Sequence, residues 1–255
     1  MTERPPTEPT GADPGIPERA AQTLEQVEGD RPMPVGIVHR DVLDREMRLI
    51  KDAILRMGSL CQEAIRKAAD ALVRHDPDLA RAIIRDDALI NEVQVSITRL
   101  VAVTIATQQP VARDLRLLLT LDHVSYELER MGDHASSVAK AVIKLSPEAP
   151  LEGYVHMPEM ADRAADLVGA VLRALIDVDA EAARAAAAAD DAIDDLYHAT
   201  FDETVELMRQ APGNVERGAR IILASHYLER IGDRATNIAE DIVFLATGDV
   251  EDLNP

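Results

Sequence analysis

Apolar residues recur along this chain at alternating steps of four and three, and that period constrains the fold more than any other feature. Leu43, Met47, Ile50, Ile54, Met57, Cys61, Ala64, Ala68 and Ala71 keep one stripe aligned over about eight helical turns. Leu117, Leu121, Val124, Leu128, Met131, Ala135, Val138, Val142 and Leu145 form a second stripe, and Ile221, Ala224, Leu228, Ile231, Ala235, Ile238, Ile242 and Leu245 a third. A strand needs a period of two, which none of these runs has. With four Tyr, two Phe and no Trp, the aromatic supply on which sheet cores usually draw is also missing. Helices of about 35 residues are rods roughly 50 Å long, and rods with such seams pack as antiparallel bundles.

Punctuation divides the rods. Residues 1–36 hold seven of the fourteen prolines among scattered acidic residues, too little apolar surface to offset ordering, and read as a disordered Pro-rich acidic tail. Asp76-Pro77 reads as cap and first-turn proline of a second helix, and Gln109-Pro110 as the same device for a third. These three rods make a first bundle over residues 37–146. Pro147, Pro150, Gly153 and Pro158 mark a linker over 147–158. A second bundle over 159–248 follows: a helix from about 159 to 178, another capped by Asp179 and running to about 211, and a last one after Pro212-Gly213. The expected fold is all-α, two tandem antiparallel three-helix bundles of six long helices behind the tail.

The two halves also agree in letters. Leu-Glu-Arg-x-Gly-Asp occurs at 128–133 and again at 228–233, an offset of 100. Asp86-Asp87-Ala-Leu-Ile-Asn91 answers Asp190-Asp191-Ala-Ile-Asp-Asp195 at an offset of 104. An internal duplication accounts for both.

The repeated acidic residues carry the candidate chemistry. Glu129 and Asp133, Glu229 and Asp233, and Asp191 and Asp195 are each four apart, so each pair shares a helix face about 5 to 6 Å apart at Cβ. Relative to the apolar seams Glu129 and Asp133 point outward, and Arg130 and Arg230 project sideways, so the like charges are unrelieved. In an antiparallel bundle Asp87 and Asn91 border the patch of Glu129 and Asp133. A cation would turn the repulsion into coordination, and oxygen donors suit magnesium, manganese or iron, with zinc also accepting carboxylate. Gly132 and Gly232 keep helix-weakening glycines at matching places, through close packing or room for an ion. No E-x-x-H pair and no Walker loop is present, and the histidines share no ligand spacing between halves.

The formal net charge of −19 argues against a nucleic-acid partner. One cysteine, Cys61, cannot make an internal disulfide and fits a reducing cytoplasm. The sequence reads as free of any run approaching the roughly 18 apolar residues of a membrane span, so a membrane role must come through a partner.

The doubled L-E-R-x-G-D segment, the acidic pairs on the preceding helices and Asp114-Leu-Arg116 resemble the PhoU family over roughly residues 38–248. The resemblance implies paired three-helix bundles, often dimeric, holding metal ions or clusters through E/D-x-x-x-D motifs. It implies partners rather than a substrate: the Pst phosphate ABC transporter and a PhoR-like membrane histidine kinase, with starvation genes held off when phosphate is plentiful. Carried over by residue, the metal positions are Asp87, Asn91, Glu129 and Asp133, then Asp191, Asp195, Glu229 and Asp233. Asn91 departs from the acidic pattern and weakens the first site. A metal-free helical module whose acidic patches meet basic partners is the alternative. An enzyme is disfavoured because no nucleophile or base repeats.

Overall fold

The computed structural model describes residues 35–148, 151 and 155–254. Among them are seven α-helices and no strand: α1 (Val35–Arg74), α2 (Pro77–Gln108), α3 (Ala112–Leu145), α4 (Met157–Asp177), α5 (Ala180–Ala187), α6 (Asp191–Gln210) and α7 (Val215–Thr247), with a 3₁₀ turn at Pro212–Asn214 before the last. Residues 42–254 form one compact unit. The expected tail falls almost wholly outside the described residues, except that residues 35 and 36 already belong to α1.

The cap signals at Asp76 and Asp179 are used as read. The Asp76 carboxylate accepts from the amides of Asp78 (2.9 Å) and Leu79 (3.0 Å), and that of Asp179 accepts from Ala182 (3.0 Å). At Gln109-Pro110 the device differs. Gln109 closes α2 in the left-handed conformation (φ 48°), its amide bonded to Ile105 O, and Pro110 lies outside α3, which starts at Ala112.

The three predicted stripes are buried except at Ala64 and Leu117, which are half-buried against the core. Ile50, Ile54, Met57 and Cys61 on α1, Leu121, Leu128 and Met131 on α3, and Leu228, Ile231 and Ile238 on α7 have no accessible surface. α3 packs along both α2 and α7, and α7 also packs on α4, α5 and α6. Cys61 Sγ donates to Leu128 O (3.1 Å), tying α1 to α3, and burial pushes its thiol far above the usual thiol range.

The halves join antiparallel, like helix on like helix. α1 lies along α4, with Lys51 Nζ donating to Ile176 O (3.2 Å), Gln62 Nε2 to Ala165 O (2.7 Å) and Arg66 paired to Asp166 (2.6 Å). α3 lies along α7, with His123 Nδ1 2.5 Å from Asp241 Oδ2, Arg234 Nη1 3.3 Å from Glu127 Oε2, and the rings of His134 and Tyr227 stacked at 5.8 Å. These pairings bring the two L-E-R-x-G-D segments alongside each other near the centre of the body.

Two expectations are corrected. The fifth rod does not run unbroken from Asp179 to about 211: residues 188–190 form a turn between α5 and α6. A run of alanines is the best helix former available, so propensity cannot break it; the break coincides with Asp190 turning its carboxylate onto α7. The second correction concerns apolarity. α2 is by length and composition apolar enough to cross a membrane. Here it lies along α3, and its Thr98 hydroxyl accepts from Gln94 Nε2 (3.0 Å) and donates to Asp122 (2.7 Å).

Candidate metal centre

The first acidic face is built where α2 crosses α3. Gly132 removes a side chain at the crossing, and a Cβ there would stand 2.9 Å from Ile90 Cδ1 and 3.2 Å from Asp87 Oδ1. The missing methyl lets Asp87 settle against the α3 backbone beside Glu129 and Asp133. Burial, and then the charge of Asp133, raises both the Asp87 and the Glu129 carboxyls above their ordinary values. Asp87 Oδ1 and Asn91 Oδ1 are buried acceptors without a donor. All four predicted residues of this half are thus brought to one crossing, with Asp133 its exposed member.

The second face repeats the frame one residue away from the predicted register. Asp191 and Asp195 are exposed. The residues turned toward α7 are Asp190 and Asp194, which makes the structural offset 103 rather than 104. A one-residue step rotates a helix position by about 100°, enough to move a side chain off the face. Ile193 stands where Ile90 stands: its Cδ1 is 3.3 Å from the place of a Gly232 Cβ, and Asp190 Oδ1 is 2.0 Å from it. Asp190 is 4% exposed. Thr236 Oγ1 donates to its Oδ2 (3.1 Å), while Oδ1 has no partner. Burial, and then Asp194, Asp233 and Glu229, push its carboxyl up to about 7. Burial and Asp233 also raise Asp194 and Glu229. The buried isoleucine, rather than the Asp-Asp letters, was the signal that fixes this register.

Nor are these carboxylates simply outward and unrelieved. The side chains of Glu229 and Asp233 are only 19% and 20% exposed. Arg230 Nη1 donates to Asp233 Oδ2 (2.9 Å), so this arginine reaches the ridge it was expected to miss. Asn254 Nδ2 donates to Asp233 Oδ1 (3.1 Å) from the C-terminal segment. His226 Nδ1 stands 3.0 Å from Glu229 Oε2, an ion pair when protonated, yet outside hydrogen-bond geometry, so that this oxygen remains a buried acceptor without a donor. Tyr126 occupies the equivalent place on α3, so histidine enters one half only.

Among the described residues no three carboxylate, imidazole or thiol groups stand close enough together to hold an ion without side-chain movement. The donor set nevertheless fits a cation chemically. Five buried oxygens without donors (Asp87, Asn91, Asp190, Asp194 and Glu229) cluster at the two crossings, and burial with mutual repulsion raises the carboxyls around them. Anionic oxygens that lack donors and repel one another are what a cation relieves.

The fold and these faces define a class: a duplicated three-helix-bundle protein with one acidic helix crossing per half. The chain belongs to the PhoU family, since the PhoU domain matches it twice, at residues 54–142 and 157–242. It is 33% identical over 216 residues to the phosphate-specific transport system accessory protein PhoU homolog of Clostridium acetobutylicum, covering 84% of this chain and 99% of that protein. The crystal structure of PhoU from Pseudomonas aeruginosa superposes with a TM-score of 0.76 at 34% identity, covering 81% of this chain and 99% of that one. That of the phosphate transport system regulatory protein PhoU from Streptococcus pneumoniae gives 0.74 at 31%, covering 82% and 99%.

Proposed function

We propose that this chain is a cytoplasmic, non-enzymatic accessory regulator of a phosphate-specific transport system. It acts as a homodimer, restrains the Pst transporter, and holds off PhoR-type starvation signalling when phosphate is plentiful. Support for the transport role comes from both halves matching the PhoU domain and from relatives that are phosphate-specific transport system accessory proteins. Deleting the gene is expected to raise alkaline-phosphatase-type starvation output in high phosphate, with restoration by the full-length chain. Unchanged output in the deletion strain would remove this chain from that route.

The acidic faces serve as metal centres in this reading, and the observation that carries it is the set of buried oxygens without donors. Each such acceptor costs about 1–3 kcal/mol while unpaired. Asp190, Asp194, Glu229 and Asp233 would hold an ion at the second face, and Asp87, Asn91, Glu129 and Asp133 at the first. The bound ion supplies the positive charge that lets neighbouring carboxylates ionise together. Iron, zinc, manganese and magnesium all accept oxygen donors, and the imidazole beside Glu229 suits zinc or iron better than magnesium.

One observation favours a metal-free second reading. Arg230 already sits on Asp233, as a partner's arginine would if the acidic faces docked on basic surfaces. Elemental analysis of untagged protein purified without chelator separates the two.

A further inference from the structure

We propose that the outer face of α2 is the interface between two copies of this chain, packed antiparallel about a twofold axis passing between Val95 and Ser96. This gives a surface to the homodimer proposed above and rests on that part of the reading, but its evidence is independent of the acidic faces. α2 carries the most membrane-like stretch among the described helices, yet only 28% of that stretch is buried. Leu89, Val95 and Val103 are 47%, 43% and 54% exposed. At 100° per residue they share one side of the helix with Glu92, Ser96 and Arg99, which are exposed as well. The equivalent outer face of α6 carries Asp191, Asp195, His198 and Asp202 instead, so the apolar stripe is a feature of one half only.

Charge selects the occupant. From Ala88 to its end at Gln108 the helix has two charged residues, Glu92 and Arg99, in a chain of net charge −19. Two copies therefore repel least when they meet here, whereas an anionic lipid surface gains no basic cluster from this face. Glu92 and Arg99 lie seven residues apart on one line of the face, and neither has an ion pair or hydrogen bond among the described residues. An antiparallel twofold about the Val95–Ser96 midpoint sets Glu92 of each copy against Arg99 of the other. It also sets Leu89 opposite Ala102 and Ala88 opposite Val103, while Arg85 meets a small residue, Ala106. The surface is self-complementary, as a twofold contact must be. One helix pair is a small interface, which places the dimer in the weak, concentration-dependent class.

The test is made on the full chain. Ser96→Cys puts a thiol beside its own symmetry mate, and the wild-type Cys61 is fully buried and will not interfere. Mild oxidation should yield a covalent dimer from Ser96→Cys. None should form from Ala88→Cys, whose copies would stand about 22 Å apart along the axis. In sedimentation, Glu92→Arg should weaken the dimer about tenfold or more by opposing two arginines, and the double swap Glu92→Arg with Arg99→Glu should restore it to within about threefold. A chain that remains monomeric in sedimentation and gives no Ser96→Cys cross-link overturns both the dimer and this surface. A stable dimer that ignores Glu92→Arg and does not cross-link at 96 overturns the surface alone.

Discussion

The two acidic crossings share a backbone frame and differ in what offsets their charge. At the first, Asn91 replaces a carboxylate, and among the described residues Asp133 has no basic side chain in ion-pair contact. At the second there are four carboxylates, and Arg230, His226 and Asn254 have moved in against Glu229 and Asp233. The denser negative site is the one against which offsetting groups are packed, and an ion bound as proposed would have to displace them. Displacing them costs little, because a partly exposed ion pair such as Arg230–Asp233 contributes about 0–1 kcal/mol. An added carboxylate ligand raises hard-cation affinity by more, since charge count tunes these sites. The second crossing should therefore fill before the first.

The largest effect expected from this comparison is on metal. Asp190→Asn with Asp194→Asn should empty the second crossing, and elemental analysis should read the loss with the first crossing unaffected. Equal loss on changing Asp87 alone would erase the distinction between the sites.

Next in size is the glycine pair. A methyl on Gly232 meets Asp190 Oδ1 at 2.0 Å, whereas one on Gly132 meets Ile90 at 2.9 Å. Overpacking costs about 1–3 kcal/mol and alanine returns about 1 kcal/mol of helix propensity. Gly232→Ala should lower the unfolding free energy in chemical denaturation by about 1–2 kcal/mol, and Gly132→Ala by less. The reverse order would show that the second crossing is the looser one.

The pH dependence follows from Asp190. Its carboxyl is raised in the folded chain from an ordinary 3.8 to about 7, so between those values the unfolded chain has lost a proton that the folded chain keeps. With chelator present, stability should fall as pH rises through that window, and Asp190→Asn should remove part of the slope. Asp87 is raised for the same reasons, and Asp87→Asn should act in the same direction. A wild-type slope that survives Asp190→Asn unchanged would assign the titration elsewhere. Smallest of all, Asp191→Asn with Asp195→Asn should change metal content negligibly, because those side chains are exposed beside the crossing rather than within it.

Much of this was readable in the sequence, and the failures share a cause. Stripes, caps at Asp76 and Asp179, and the duplication all express local periodicity or local hydrogen bonding, which the letters carry directly. The register of Asp190 and Asp194 does not, because Asp-Asp matches Asp-Asp best at 104 while the buried isoleucines match at 103. The break at 188–190 opposes the local preference of alanine and is associated with the Thr236 contact 46 residues away. Arg230 looked misaligned by helix geometry, but its long side chain spans the gap, and Asn254 reaches Asp233 from a segment with no period to read. The apolar face of α2 was missed because Glu92, Ser96 and Arg99 share that side of the helix and interrupt its apolar run.

The central claim is that the crossing oxygens bind cations and that the second crossing binds more tightly. The most direct measurement is the metal content of untagged protein purified without chelator, comparing wild type with Glu229→Gln/Asp233→Asn and with Glu129→Gln/Asp133→Asn. Both variants keep helix shape and should remain folded by circular dichroism. The account predicts metal in the wild type, a larger loss in the Glu229/Asp233 variant and a smaller loss in the other. Equal metal content in all three folded proteins would contradict it and leave the acidic faces as docking surfaces.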